Sequence, residues 1–293
     1  MEEITWARII LALTVMIVAA ISDWRTRTAS NVHWYIIGLG GSLLLGWQLW
    51  SDGAPWIFLA CLGLISLVFM DLLWDRPGIL EDGINPLPLV LYALTILAYG
   101  YLSLEHFGDG HYWTLVTIPL LFVLFYVLYQ FDVIKGGADA KALIALSLCF
   151  PVYPSLEGLP LLTLNQPAAQ EVLPFPLLIL FNGAILTLLV SVGLFLINVV
   201  HQDLRFPLMF LGFRMSIDEA PSKHVWPMER IVDGRLRTTL FPRSDENVDW
   251  ERLRAAGVDR PWVTPMIPLL IPMALAVPFS LLVGNLLLYI IGA

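Results

Sequence analysis

Apolar runs of about twenty residues recur along this sequence, separated by short stretches carrying charges, prolines and glycines. A helix needs roughly 17–25 apolar residues to cross a hydrocarbon core about 30 Å thick, so the pattern dictates a polytopic helical membrane protein. Candidate spans cover 4–22, 33–50, 55–74, 87–104, 113–131, 175–201 and 263–291, with a shorter run at 142–153. Counting the short run gives about eight transmembrane helices. The expected fold is all-α, with a small cytoplasmic α+β segment ahead of the last helix. This divides the chain into a transmembrane helical domain over 1–201, a soluble segment over 202–262 and a last helix over 263–293. The start, Met1-Glu2-Glu3, lacks the basic region of a cleavable signal peptide, so the first helix reads as a retained span.

The distribution of basic residues sets the orientation. With Asp23 facing the cytoplasm, eight alternating spans put inside the loops at 23–32, 75–86, 132–141 and 202–262. These hold fifteen of the sixteen Lys and Arg residues, and only Arg8 falls elsewhere. Dropping the short span would send 202–262, with its ten basic residues, to the outside. The net charge of −8 offers no basic field for nucleic acid. Cys61 and Cys149 lie in apolar runs without metal-type spacing, which excludes a disulfide scaffold or a zinc ribbon and makes both packing residues.

Within 202–262, Asp233-Gly234 between residues 228–232 and 235–240 predicts a β-hairpin. Residues 249–257 read as a short helix started by Asp249 and stopped by Gly257. In the last span Pro265, Pro268, Pro272 and Pro278 are expected to kink or open the helix.

No H-E-x-x-H, G-x-S-x-G or P-loop pattern occurs, and the five histidines (His33, His106, His111, His201 and His224) are scattered. Two carboxylates stand out, Asp23 at the end of the first span and Asp139 at the start of the short one, at the same membrane depth. Asp23 lies where the helix dipole disfavours an anion, so it reads either as functional or as an interfacial charge eased by Arg25 and Arg27. Asp139 reads either as functional or as an N-cap for the amides of residues 140–142. Gly136-Gly137 permits close approach of a peptide backbone, and equally a tight turn.

Asp23-Trp-Arg25-Thr-Arg27-Thr-Ala-Ser-Asn31 resembles the D-x-[KR]-x-[KR]-[RK]-[IV]-P-N segment after the first helix of type IV prepilin peptidases, with Ser30 in place of Pro. Lys135-Gly136-Gly137-Ala138-Asp139-Ala140-Lys141 resembles their G-x-G-D segment, with Ala138 where the strict motif has Gly. Trp262-Val-Thr-Pro265-Met-Ile-Pro268 is similar to the closing segment of the archaeal prepilin and preflagellin (prearchaellin) peptidases. Three motifs occur in order, on the expected side, and touch both ends and the middle of the chain.

The resemblance implies an integral-membrane aspartic endopeptidase with Asp23 and Asp139 as its catalytic pair, needing no metal or organic cofactor. It implies, as substrates, pilin-like or archaellin precursors with class III signal peptides, whose short basic leader is removed at the cytoplasmic face of the cell membrane. A basic leader calls for acidic neighbours, and Asp71, Asp75, Glu81, Asp82 and Asp132 fall on or near that face, as binding residues or as solvated loop charges. Asp132 is favoured among them, and Gly136 and Gly137 join as backbone contacts. Lys135 and Lys141 would lower a carboxylate pKa or meet lipid phosphates. Bacterial relatives often carry a four-cysteine domain and methylate the new terminus. This chain lacks those cysteines, so proteolysis without methyl transfer is expected. Partners are then the precursors and membrane lipids, with no nucleic acid. From another class, a proton- or ion-coupled transporter would place carboxylates near mid-bilayer and show an inverted repeat. A structural scaffold would leave both aspartates free to vary.

Overall fold

A computed structural model describes residues 2–74, 86–134, 136–154, 156–162, 173–240, 242 and 250–291. The expected acidic residues Asp75, Glu81 and Asp82, together with Lys135 and Asp249, lie outside the described residues. The chain forms two compact units, one of residues 1–184 with 268–293, the other of residues 185–267.

In the first unit the polytopic helical fold is present. Helix α1 spans Glu2–Thr26, with Glu2 and Glu3 in its first turn and Arg25 in its last, each charge complementing the dipole end it occupies. Helices α2 (Asn31–Ser51), α3 (Trp56–Leu73), α4 (Pro86–Glu105) and α5 (Tyr112–Gln130) follow. The short α6 covers Gly137–Cys149, and α7, Phe175–His201, runs across the division between the units. Helices α1, α3, α4, α5 and α7 are each long and apolar enough to cross a membrane. Helix α2 is as long, but four glycines and Gln48 dilute its apolarity.

Helix α6 is the core of this unit. It packs on α2 and α5, with further contacts to α1 and α3. Every residue from Ala142 to Cys149 is buried. A helix apolar on all sides belongs in an interior, and here the surrounding helices, not lipid, cover it. The close fit rests on glycine, because a Cβ on Gly41 of α2 would stand 2.6 Å from Cys149 Cα. One turn away, Gly38 leaves room for the ring of Phe69.

The second unit holds the predicted hairpin. Strands β3 (Glu229–Val232) and β4 (Arg235–Thr238) pair antiparallel. Asp233 and Gly234 take positive φ of 52° and 71°, as a type I′ turn requires. Its second sheet has the order β1-β5-β2, from Phe213–Arg214, Trp262–Pro265 and Val225–Pro227. A short helix α8, Trp250–Ala255, precedes Gly257, whose φ is +75°. Buried Glu229 accepts the Trp262 backbone N–H at 3.0 Å, tying the hairpin to the central strand.

Three expectations change. The final span does not begin at residue 263, because Trp262–Pro265 is the middle strand of that sheet, with Trp262 and Val263 buried. The last helix, α9, covers Leu270–Val283, and a short α10, Leu286–Ile291, follows a break at Gly284, whose φ is +80°. A four-residue strand, two side chains to each face, looks apolar enough to prolong the helix in sequence, whereas the strand ends at Pro265. The short apolar run ends earlier than residue 153, because its helix closes at Cys149 before Pro151, and that helix carries a polar first turn from Gly137 ahead of the run. Lastly, Asp139 is not the N-cap of α6, because the helix starts at Gly137 with Gly136 in the capping position.

Candidate active site

The segment joining α1 to α2 is built by local hydrogen bonds. Thr26 Oγ1 donates to the Ser22 carbonyl at 2.9 Å, and the Arg27 amide donates to the Asp23 carbonyl at 2.9 Å. Arg27 then takes a positive φ of 59° and reverses the chain, with its guanidinium 5.6 Å from the Trp24 ring. Ser30 caps α2 by accepting the Val32 amide at 3.3 Å. The serine that replaces proline in the resembled motif thereby gains a role that proline cannot fill.

Asp23 occupies the last turn of α1 and is partly exposed. Asp139 occupies the first turn of α6 and is only 8% exposed. Its carboxylate folds back over Gly136, and a Cβ at that glycine would collide with Asp139 Oδ2. Glycine here clears the space that the carboxyl fills. Asp139 stands ahead of the apolar run that starts at Ala142. Burial first, and then the neighbouring Asp23 charge, push its carboxyl up to about 7. The charge that adds to burial comes from Asp23, 116 residues away in sequence, whose own carboxyl is raised by burial and lowered by Arg27.

Asn31 holds the surroundings together. Its Nδ2 donates to the Leu73 carbonyl at the end of α3 at 3.1 Å, and its Oδ1 accepts Lys141 Nζ at 3.0 Å. One side chain therefore joins the start of α2, the end of α3 and the first turns of α6. The resembled motif gives Asn31 no task, and the sequence expectation for Lys141 is a carboxylate or a lipid phosphate. Its observed partner is Asn31.

The other expected acids are placed differently. Asp71 lies in the last turn of α3 and accepts the Tyr92 hydroxyl of α4 at 2.9 Å. Asp132 follows α5 with a positive φ of 56° and is exposed. Gly137 lies next to Tyr129 of α5. At the Asp23 end of α1, a largely apolar groove of about 550 Å³ runs between α1 and α9, lined by Ile17, Ile21, Trp24, Arg25, Ile271 and Leu275 among others, though not by Asp23 itself. Among the described residues, no three His, Cys, Asp or Glu side chains gather into a metal-binding group.

No family model matches the chain. It is, however, similar over most of its length to preflagellin peptidases of methanogens. The one from Methanococcus voltae is 29% identical over 215 residues, 68% of this chain and 84% of the relative. That of Methanococcus maripaludis is 24% identical over 266 residues, 86% of this chain and 95% of the relative. The likeness to preflagellin peptidases thus extends over two thirds or more of the chain. A third relative from Methanocaldococcus jannaschii, also a preflagellin peptidase, is 26% identical over 206 residues, 67% of this chain and 82% of its own. These relatives are peptidases, and the chain that resembles them carries helices of membrane-spanning length and the segments with Asp23 and Asp139.

Proposed function

We propose that the protein is an aspartic endopeptidase that removes the short basic leader from archaellin or pilin-like precursors at the cytoplasmic face of the membrane, with Asp23 and Asp139 as its catalytic dyad. The observation that carries this reading is the buried Asp139 carboxyl, seated in the space that Gly136 leaves and raised by burial and by the Asp23 charge. Two carboxylates that share one proton can run both halves of peptide hydrolysis. The ionised member takes a proton from water, and the resulting hydroxide adds to the scissile carbonyl carbon. The protonated member donates to the carbonyl oxygen and stabilises the charge that develops there. Collapse of the tetrahedral intermediate then breaks the C–N bond, with a proton passed to the departing amine. The pair titrates as a unit, so neither role belongs to one residue alone.

The largely apolar groove at the Asp23 end of α1 suits the apolar segment that follows the leader, and Asp132, exposed and seven residues before Asp139, suits a basic leader side chain. Asp71, Asp75, Glu81 and Asp82 would add to the acidic field, and Gly136 and Gly137 would give a peptide backbone room to approach. The basic-residue bias supports a cytoplasmic position for the dyad and for 202–262. No methyl transfer is expected.

The test uses membranes containing equal amounts of the wild type, Asp23→Asn or Asp139→Asn, given a precursor with a basic leader. Wild-type cleavage between leader and apolar segment, lost in each single variant, is the expected result. Full cleavage by either variant would remove the dyad and return both residues to structural roles.

A further inference from the structure

Arg8 is the one basic residue that the orientation argument leaves outside the cytoplasmic loops, and the dyad has no use for it. It lies in the second turn of α1, at the end of the helix away from Asp23, and is only 6% exposed. Its guanidinium donates to the Cys149 carbonyl at 3.2 Å and to Gln48 Oε1 at 2.7 Å, and it lies 5.4 Å from the Phe150 ring centroid. Those contacts anchor the side chain without neutralising it. Among the described residues no carboxylate lies within ion-pair distance of Arg8, and its buried Nε–H has no hydrogen-bond partner. A buried cation left without a counter-charge is costly, so it calls for an anion.

The surroundings are shaped for one. A cavity of about 100 Å³ is lined by Arg8, Thr5, Gln48, His111, Thr114 and Phe150 among others, with no Asp or Glu in its wall. Because Gln48 Oε1 is already taken by Arg8, its carboxamide turns the NH2 group, a pure donor, to other partners. The hydroxyls of Thr5 and Thr114 add two more groups able to donate. Asp52, which does not line the cavity, is held 3.5 Å from His111 Nε2. Glu2 at the start of α1 accepts the Glu157 amide instead.

We propose that this cavity is a phosphate-binding site at the membrane face opposite the aspartates, with Arg8 as its charged anchor and Gln48, Thr5 and Thr114 as neutral donors. The volume admits one phosphate group and cannot enclose a phospholipid. Either inorganic phosphate or the phosphodiester of an anionic lipid headgroup, its chains left outside, satisfies the same chemistry. A bound phosphate bridges α1, α2 and α5 and supplies the charge that Arg8 lacks. The site stands apart from the peptidase reading and does not depend on it.

The experiment follows thermal unfolding of the full-length protein by tryptophan fluorescence at fixed ionic strength. Inorganic phosphate is titrated in phosphatidylcholine nanodiscs, and in parallel phosphatidylglycerol replaces phosphatidylcholine in steps. A saturable rise in midpoint is expected in at least one series, with the half-saturating concentration raised at least about tenfold in Arg8→Gln and in Thr114→Val. A rise with phosphate in neutral nanodiscs identifies the free ion as occupant, and a rise with phosphatidylglycerol alone identifies the headgroup. Should Arg8→Gln fail to fold, Thr114→Val decides. The proposal is overturned if neither series saturates, or if Thr114→Val responds as the wild type does.

Discussion

Gly136 is the residue at which sequence, geometry and chemistry meet. Its missing Cβ is filled by the Asp139 carboxylate, so Gly136→Ala should push that carboxylate aside while leaving α6 intact. Cleavage is expected to fall by about 10²-fold, as for other small misplacements of a catalytic group, with an unchanged thermal midpoint; equal loss of both would mean the glycine serves the fold. Asp139 gives a pH prediction of definite sign. Its folded value, about 7, lies above the roughly 3.9 of a free aspartate. The folded state therefore binds the proton more tightly, and stability is lost as pH rises from about 4 to 7. Asp139→Asn should accordingly be inactive, yet gain in thermal midpoint over the wild type as pH is raised from 5 to 8. A gap that stays constant across that range would refute the assignment. In the wild type, cleavage should decline above about pH 7 as the dyad loses its shared proton. Both aspartates were legible in the sequence because charges at the ends of apolar runs are conspicuous. The part of Asn31 was not, since a hydrogen bond spanning residues 31, 73 and 141 leaves no local pattern.

At the level of elements, most boundaries followed from composition. Helices α1 to α5 and α7 end within a few residues of the apolar runs, and the Asp233-Gly234 turn formed as its residues require. The misreading of Trp262–Pro265 has a physical cause. A buried central strand and the first turn of a membrane helix are both apolar, and only pairing with Phe213–Arg214 and Val225–Pro227 tells them apart. Helix α6 resisted reading for a related reason, because burial on every side erases helical periodicity. Its packing makes a further prediction. Gly41→Leu would drive a side chain into Cys149 and should cost about 1–3 kcal/mol of stability. Gly63, whose Cβ would meet nothing within 4 Å, provides the control, and Gly63→Leu should leave the midpoint nearly unchanged. Because leucine is the better helix former, comparable losses at both glycines would mean that the close approach to Cys149 does not set the effect.

For the whole molecule the open matter is which side each end faces, and the charge bias makes a definite statement. Arg237 lies on exposed strand β4. Cys61 and Cys149 are buried, so they form a silent background for thiol labelling. Arg237→Cys is expected to react with a membrane-impermeant maleimide only when the cytoplasmic side is opened. Labelling of intact cells would reverse the orientation and, with it, the side assigned to the leader.

Helix α6 has thirteen residues, which at 1.5 Å per residue make a rod about 20 Å long, against a hydrocarbon core of about 30 Å. It carries Asp139 and Lys141 at one end and is buried at every position from Ala142 to Cys149. Such a segment has little reason to leave the insertion machinery for lipid by itself. Its place is created by α1, α2, α3 and α5, all of which precede it in the chain. The order of synthesis thus suits an assembly in which α6 enters last among these helices, into a socket that its predecessors have made.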